Sequence, residues 1–284
     1  MIISVASGKG GTGKTTISTN LGLSIKNVQF LDCDVEEPNA NIFFKIKDIE
    51  TQQIDTKIPS IDKKKCDYCG KCSDFCAYNA IAVVPSDILV FPELCHSCGG
   101  CKIVCPNDAI NWKNKNIGKI EHGKIDNIDF YQGLLNIGEM QAIPVIKALK
   151  KNIDEQKNII IDVPPGTACP MIESVKDSDY CILVTEPTPF GFNDLKLAVE
   201  TVRFLKIPFG VIINKDGIGD KKVEEYCRKE KIPILLKIPE SKKIANLYSK
   251  GISLVKKDSK WNESFKDVFN KIKDDVHKWN NLQL

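Results

Sequence analysis

Eight of the chain's twelve cysteines fall in two runs of identical spacing. The first is Cys66, Cys69, Cys72 and Cys76; the second is Cys95, Cys98, Cys101 and Cys105, followed by Pro106. Both read C-x2-C-x2-C-x3-C. Thiolates at i, i+3 and i+6 can wrap three irons of a cubane while the fourth ligand comes from elsewhere, so two [4Fe–4S] clusters are expected. Zinc is the metal alternative, although zinc sites more often pair two C-x2-C units or mix in histidine. A second constellation stands near the N-terminus: Gly8-Lys9-Gly10-Gly11-Thr12-Gly13-Lys14-Thr15-Thr16, a Walker A loop. Gly10, Gly11 and Gly13 let backbone N–H groups approach phosphate oxygens, helped by a following helix N-terminus. Lys14 can bridge the β- and γ-phosphates, and the Thr15 hydroxyl can join a Mg²⁺ shell. Thr12 and Thr16 complete the loop expected to hold ATP.

Such a loop needs a strand before it and a helix after it, and the flanking sequence supplies both. Short continuous apolar runs at 2–6, 28–31, 158–161, 181–185, 209–213 and 234–236 suit strands buried on both faces of a parallel sheet. Helical stretches at 15–26, 194–205 and 220–230 separate them. The expected fold class is α/β, a doubly wound and mostly parallel sheet. From 59 to 115 the alternation breaks into a cysteine-rich segment with an internal repeat. Cys76-Ala77-Tyr78-Asn79-Ala80-Ile81 echoes Cys105-Pro106-Asn107-Asp108-Ala109-Ile110. Residues 1–58 and 116–284 are read as one discontinuous domain, with 59–115 as a small α+β insert. Near the C-terminus, Trp261, Phe265, Val268, Ile272, Val276 and Trp279 recur at helical spacing. A helix packed on the domain is expected there, with a partner or membrane-surface helix as the alternative.

The bulk numbers are those of a soluble globular chain: 284 residues, 42 % hydrophobic and 27 % charged. A net charge of +3, from 40 basic and 37 acidic residues, argues against a general nucleic-acid or membrane footprint. The first residues lead straight into a strand and the phosphate loop, so a cytoplasmic location is expected. In that setting two cysteine tetrads favour metal over disulfides, and the scattered Cys33, Cys169, Cys181 and Cys227 read as free thiols.

Lys9, set early in Lys-Gly-Gly-Thr-Gly-Lys-Thr, resembles the deviant Walker A of the MinD/ParA family of P-loop ATPases. That resemblance implies that Lys9 reaches the phosphates of the partner subunit across an ATP-dependent homodimer, the role an arginine finger plays elsewhere. Two more segments are similar to the family. Leu31-Asp32-Cys33-Asp34 matches its first switch, which makes Asp34 the group that orients or activates water and Asp32 a supporting carboxylate. Ile159 to Thr167 resembles the Walker B strand and second switch. There Asp162 would hold Mg²⁺ through water, and the 164–166 turn would sense the γ-phosphate through an N–H. Asn214 matches the family's adenine reader, and Pro239 the other wall of the base pocket. For each of these, an ordinary strand-end or turn residue is the plainer alternative.

The cysteine segment resembles bacterial-type two-cluster ferredoxins, in which the fourth cysteine of each run serves the other cluster. By that resemblance Cys66, Cys69, Cys72 and Cys105 hold one cluster, and Cys95, Cys98, Cys101 and Cys76 the other. Ala77 departs from the pattern, which usually has proline after the fourth cysteine. Cys169 stands seven residues after Asp162, the offset of a cluster ligand in the nitrogenase iron protein of the same family, with a structural thiol as its alternative. The whole implies an ATPase whose dimer cycle is coupled to its clusters. It acts either in iron–sulfur cluster assembly or client maturation, or as an ATP-gated electron donor to a redox partner.

Overall fold

The apolar runs build a parallel sheet, and the cysteine region hangs from its edge. In the computed structural model, which describes residues 1–282, β1 (Ile2–Ala6) leads through the phosphate loop into α1 (Lys14–Ser24). β2 (Val28–Asp32) leads to the short α2 (Asn41–Phe44), and the long β3 (Lys47–Ile61) runs out to the cysteines. That region holds α3 (Lys71–Phe75), the hairpin of β4 (Ile81–Val84) and β5 (Asp87–Val90), and α4 (Gly100–Ile103). β6 (Ile110–Ile125) returns to the sheet and turns into β7 (Ile128–Leu135). Alternation resumes with α5 (Ala142–Lys150), β8 (Asn158–Asp162), α6 (Cys169–Val175), β9 (Tyr180–Thr185) and α7 (Pro189–Phe204). β10 (Phe209–Asp216), α8 (Lys222–Lys229), β11 (Ile234–Pro239), α9 (Lys242–Ser249), α10 (Leu254–Lys257) and α11 (Ser259–Leu282) follow.

The nine-stranded sheet has the order β11-β10-β9-β1-β8-β2-β7-β6-β3. All neighbours from β11 to β7 are parallel; β6 is antiparallel to β7, and β3 to β6. The six expected strands are present. Three more, β3, β6 and β7, escape a reading based on apolar runs. β3 is polar along much of its length, as in Asp48-Ile49-Glu50-Thr51-Gln52-Gln53, because it forms the sheet edge and is largely wet. The β6–β7 turn spans Asp126 and Asn127, with Asp126 at φ 50°, the left-handed backbone that a two-residue hairpin requires.

Helices cover both sheet faces. One core joins Val145, Leu149, Met171, Val175, Val202 and Cys227 to the sheet. The other joins Ile17 and Leu21 of α1 to Phe30, Phe44 and Phe130, and to Phe265, Val268 and Ile272 of α11. The terminal helix therefore packs on the domain along the stripe read from sequence. α7 starts before the expected 194 because Thr188 caps it, accepting the Gly191 N–H at 3.0 Å, and Pro189 takes its first position.

Beyond the sheet, β3 and β6 continue as a two-stranded ribbon through residues 59 and 115 to Ile61 opposite Ile110. Pairing slips between Ile54–Gly118 and Asp55–Asn116, so Ile117 forms a bulge, fully buried in the first core. A bulge bends and twists its strand, and here it lies where the ribbon leaves the sheet.

Replacing Phe265 by alanine is expected to cost about 3–5 kcal/mol of unfolding free energy in urea titration. Phe204→Ala, at a side chain 84 % exposed, should stay within about 0.5 kcal/mol. Equal effects would show that α11 does not belong to the core.

Candidate functional site

The phosphate loop follows β1 and is shaped by its glycines. Gly11 and Gly13 adopt φ of 76° and 91°, where a side chain is strained. A Cβ on Gly13 would also stand 2.3 Å from Asn214 Nδ2. Asn214 donates that N–H to the Thr12 carbonyl at 2.8 Å, so it ties the loop to the end of β10. Lys14 and Thr15 are buried at the head of α1. Thr12 Oγ1 and Asp162 Oδ1 are buried without a hydrogen-bond partner. Orphaned polar atoms at a phosphate loop fit a nucleotide with its Mg²⁺, which would satisfy them.

Asp32 and Asp162 end the adjacent strands β2 and β8, in direct register. Asp32 is fully buried and accepts the N–H groups of Asp34, Asn39 and Ala40 at 3.1, 3.2 and 3.1 Å. It thereby organises the loop after β2. Burial pushes its carboxyl well above the usual range, and the neighbouring Asp162 adds to the effect. Asp162 is raised by burial too, against the pull of Lys14 and the nearby Thr15 and Ser18 hydroxyls. Asp34 lies at the edge of this group; burial raises it to about 6, opposed by Lys14 and reinforced by Asp162. Lys14, Asp34 and Asp162 are thus one electrostatic unit. The Gly166 N–H, expected to sense a γ-phosphate, donates to the Ser7 carbonyl at 3.0 Å.

Lys9 has a partner that the sequence reading missed. Its ammonium lies 2.6 Å from Glu186 Oε1, and Lys215 Nζ lies 2.9 Å from Glu186 Oε2. Lys215 also donates to the Gly11 carbonyl at 3.1 Å. Burial works against ionisation of Glu186, yet the two lysines hold its carboxyl below the ordinary value. The available signal was an acid directly after the buried strand β9, at the carboxyl edge of the sheet where ligands of open α/β sheets bind. Pro239 ends β11, opposite Asp216 and beside a cavity of about 460 Å³ with Leu254 and Trp261. A cavity of about 580 Å³ lined by Tyr180, Phe209 and Trp279 opens at the other end of the strands, away from the phosphate loop.

The eight paired cysteines separate into two linings of four. Cys66, Cys69, Cys72 and Cys105 border one cavity, and Cys76, Cys95, Cys98 and Cys101 the other. Tyr78 stacks on His96 beside the second, with ring centroids 3.7 Å apart. The internal repeat is visible in the backbone. Tyr68 and Ser97, Gly70 and Gly99, and Asn79 and Asp108 are matched pairs of positive φ. The Ala80 N–H donates to Cys76 Sγ and the Ala109 N–H to Cys105 Sγ, both at 3.3 Å. Burial raises the Cys72 and Cys95 thiols, and brings Cys101 to about 11. Among the described residues no three His, Cys, Asp or Glu side chains converge as a single ion requires. Four thiols bordering each cavity, with N–H donors to two of the sulfurs, are a donor set that fits a cubane. Cys169 is exposed at the start of α6; Cys33, Cys181 and Cys227 are buried.

A family model for the CobQ/CobB/MinD/ParA nucleotide-binding domain matches residues 3–255. An uncharacterized protein of Methanocaldococcus jannaschii is 34 % identical over 262 residues, 90 % of this chain and 92 % of its own. The iron-sulfur cluster carrier protein of the same organism is 24 % identical, covering 96 % of this chain and 84 % of the carrier. Among solved structures, the septum site-determining protein MinD of Pyrococcus horikoshii, complexed with Mg-ADP, superposes with a TM-score of 0.57 at 22 % identity. That match covers 95 % of each chain.

Asn214→Ala should weaken ATP binding about 5–30-fold in calorimetric titration, the effect of about 1–2 kcal/mol for one hydrogen bond that holds the loop. Inorganic triphosphate, which lacks a base, should weaken too but by less, since only the hold on the loop is then lost. Unchanged triphosphate binding would show that Asn214 does not act through the loop.

Proposed function

The chain belongs to the CobQ/CobB/MinD/ParA nucleotide-binding family and is an ATPase, and on that premise we propose an iron–sulfur role for it. ATP closes a homodimer, hydrolysis reopens it, and this cycle is coupled to two [4Fe–4S] clusters in the assembly or maturation of a client protein. The observation that carries the reading is the grouping of both cysteine runs into two four-thiol linings, on a ribbon continuous with the ATPase sheet. Similarity to an iron-sulfur cluster carrier protein supports the same role.

ATP lies along Gly10, Gly11, Thr12, Gly13, Lys14, Thr15 and Thr16, with its base between Asn214 and Pro239. Mg²⁺, held by Thr15 and through water by Asp162, would offset charge on the β- and γ-phosphates. Asp34 orients the attacking water and accepts its proton as oxygen bonds to the γ-phosphorus and ADP leaves. Lys9 leaves Glu186 to reach the partner subunit's nucleotide, while Lys215 stays to neutralise Glu186. Residues 59–115 form the inserted ferredoxin-like module, with the two ligand sets drawn crosswise from the runs. Bound clusters supply one-electron redox chemistry. No helix among the described residues is long and apolar enough to cross a membrane. A second reading, an ATP-gated electron donor, is favoured by one observation: Cys72, Cys95 and Cys101 are buried, which suits clusters that are retained and not handed over.

Asp34→Asn should keep ATP affinity and lower hydrolysis about 100-fold or more in a phosphate-release assay. Anaerobic reconstitution should load about eight irons per chain, with Cys105→Ala impairing one cubane signal and Cys76→Ala the other. Transfer of intact cluster to an apo-acceptor on adding ATP supports maturation. Transfer of electrons with iron retained supports the second reading.

A further inference from the structure

Two loops of unrelated chemistry are joined by one short segment. At its nucleotide end, β7 pairs with β2 in parallel, Asp32 opposite Gln132. The Leu135 N–H then donates to the carbonyl of Val35 at 2.8 Å, one residue past Asp34. Val35 is seated where Gly133 lacks a side chain: a Cβ there would lie 2.6 Å from Val35 Cγ1 and 3.0 Å from Val145 Cγ1. Any shift of the loop after β2 therefore presses on the end of β7, because a close-packed contact transmits displacement.

The other end of the segment grips the ribbon and the second cysteine loop. The Asn136 N–H donates to the bulged Ile117 carbonyl at 2.9 Å, and its side chain to Asn116 Oδ1 at 2.9 Å. The Glu139 side chain, only 4 % exposed, lies 2.7 Å from Lys115 Nζ, and Lys115 donates in turn to the Pro92 carbonyl at 3.2 Å. Gln141 Nε2 donates to the carbonyl of Cys95. Between these anchors Ile137 and Met140 stand exposed, so the segment spans the gap with little packing of its own.

We propose that residues 135–141 are a strap that relays the nucleotide-dependent position of the loop after β2 to the 92–105 loop, making the second cysteine run, and not the first, the one that responds to ATP. The inference rests on the reading above of an ATP-driven cycle. The asymmetry follows from the contacts: the strap touches Cys95 directly and Pro92 through Lys115, whereas the 66–76 loop has no hydrogen bond to it among the described residues.

Hydrogen exchange of the full-length protein, with and without the non-hydrolysable analogue AMPPNP, tests this. Exchange across 92–105 should change several-fold on adding the nucleotide, with 66–76 unchanged. Gln141→Ala, and independently Glu139→Gln, should abolish that response while nucleotide affinity and iron content match the wild type. Exchange is read whether or not iron is bound, so a chain that loads no iron overturns the cluster reading and leaves the strap to be judged by its own response. A wild-type 92–105 loop indifferent to AMPPNP, an equal response in 66–76, or variants that respond as the wild type does would each overturn the strap.

Discussion

Two carboxylates side by side in a sheet interior are the constraint on which this molecule is built. Asp32 and Asp162 end neighbouring parallel strands in direct register, both almost wholly shielded from water. Burying a charge costs several kcal/mol per ion unless partners compensate it. Asp32 finds three backbone N–H groups, and they shape the loop that presents Asp34. Asp162 keeps an oxygen without a partner and has Lys14 as its nearby positive charge. A sheet edge loaded with negative charge beside a phosphate loop is compatible with a polyanionic ligand only if cations join it. Lys14 is one such cation, and in the proposed reading a Mg²⁺ ion would be the other.

The same logic of compensation governs Lys9 and Glu186. A buried acid after β9 is held ionised by two lysines, one from the phosphate loop and one from the end of β10. Exposed ion pairs contribute little, but this one is largely shielded, with the Glu186 side chain 10 % exposed. Were Lys9 to move toward another subunit, as proposed above, Lys215 would stay as the counter-charge of the acid. A lysine whose removal does not strand its partner can serve two positions.

Much of this was legible in the residue order because the signals are local. Glycines that need left-handed backbone, a lysine at a fixed offset and thiols three apart impose their geometry within a few residues. Resemblance implies that Cys105 joins the first run and Cys76 the second as cluster ligands; the fold lines one cavity with Cys66, Cys69, Cys72 and Cys105 and the other with Cys76, Cys95, Cys98 and Cys101. β3, β6 and β7 were not legible, since edge and ribbon strands bury little and carry no apolar run. Glu186 was missed because its role depends on Lys9, brought to it from 177 positions away.

Residue order alone determined the chemistry on offer: a phosphate loop, carboxylates at strand ends, two runs of thiols and a turn that occurs twice. Each follows from local backbone preference or from the valence of a side chain. Only the tertiary structure decided how these parts are connected. The register of β2 against β8 and β7, the bulge at Ile117, and the Gln141 contact with Cys95 are long-range pairings. They are selected by how the whole sheet buries its surface, which no short stretch of sequence encodes.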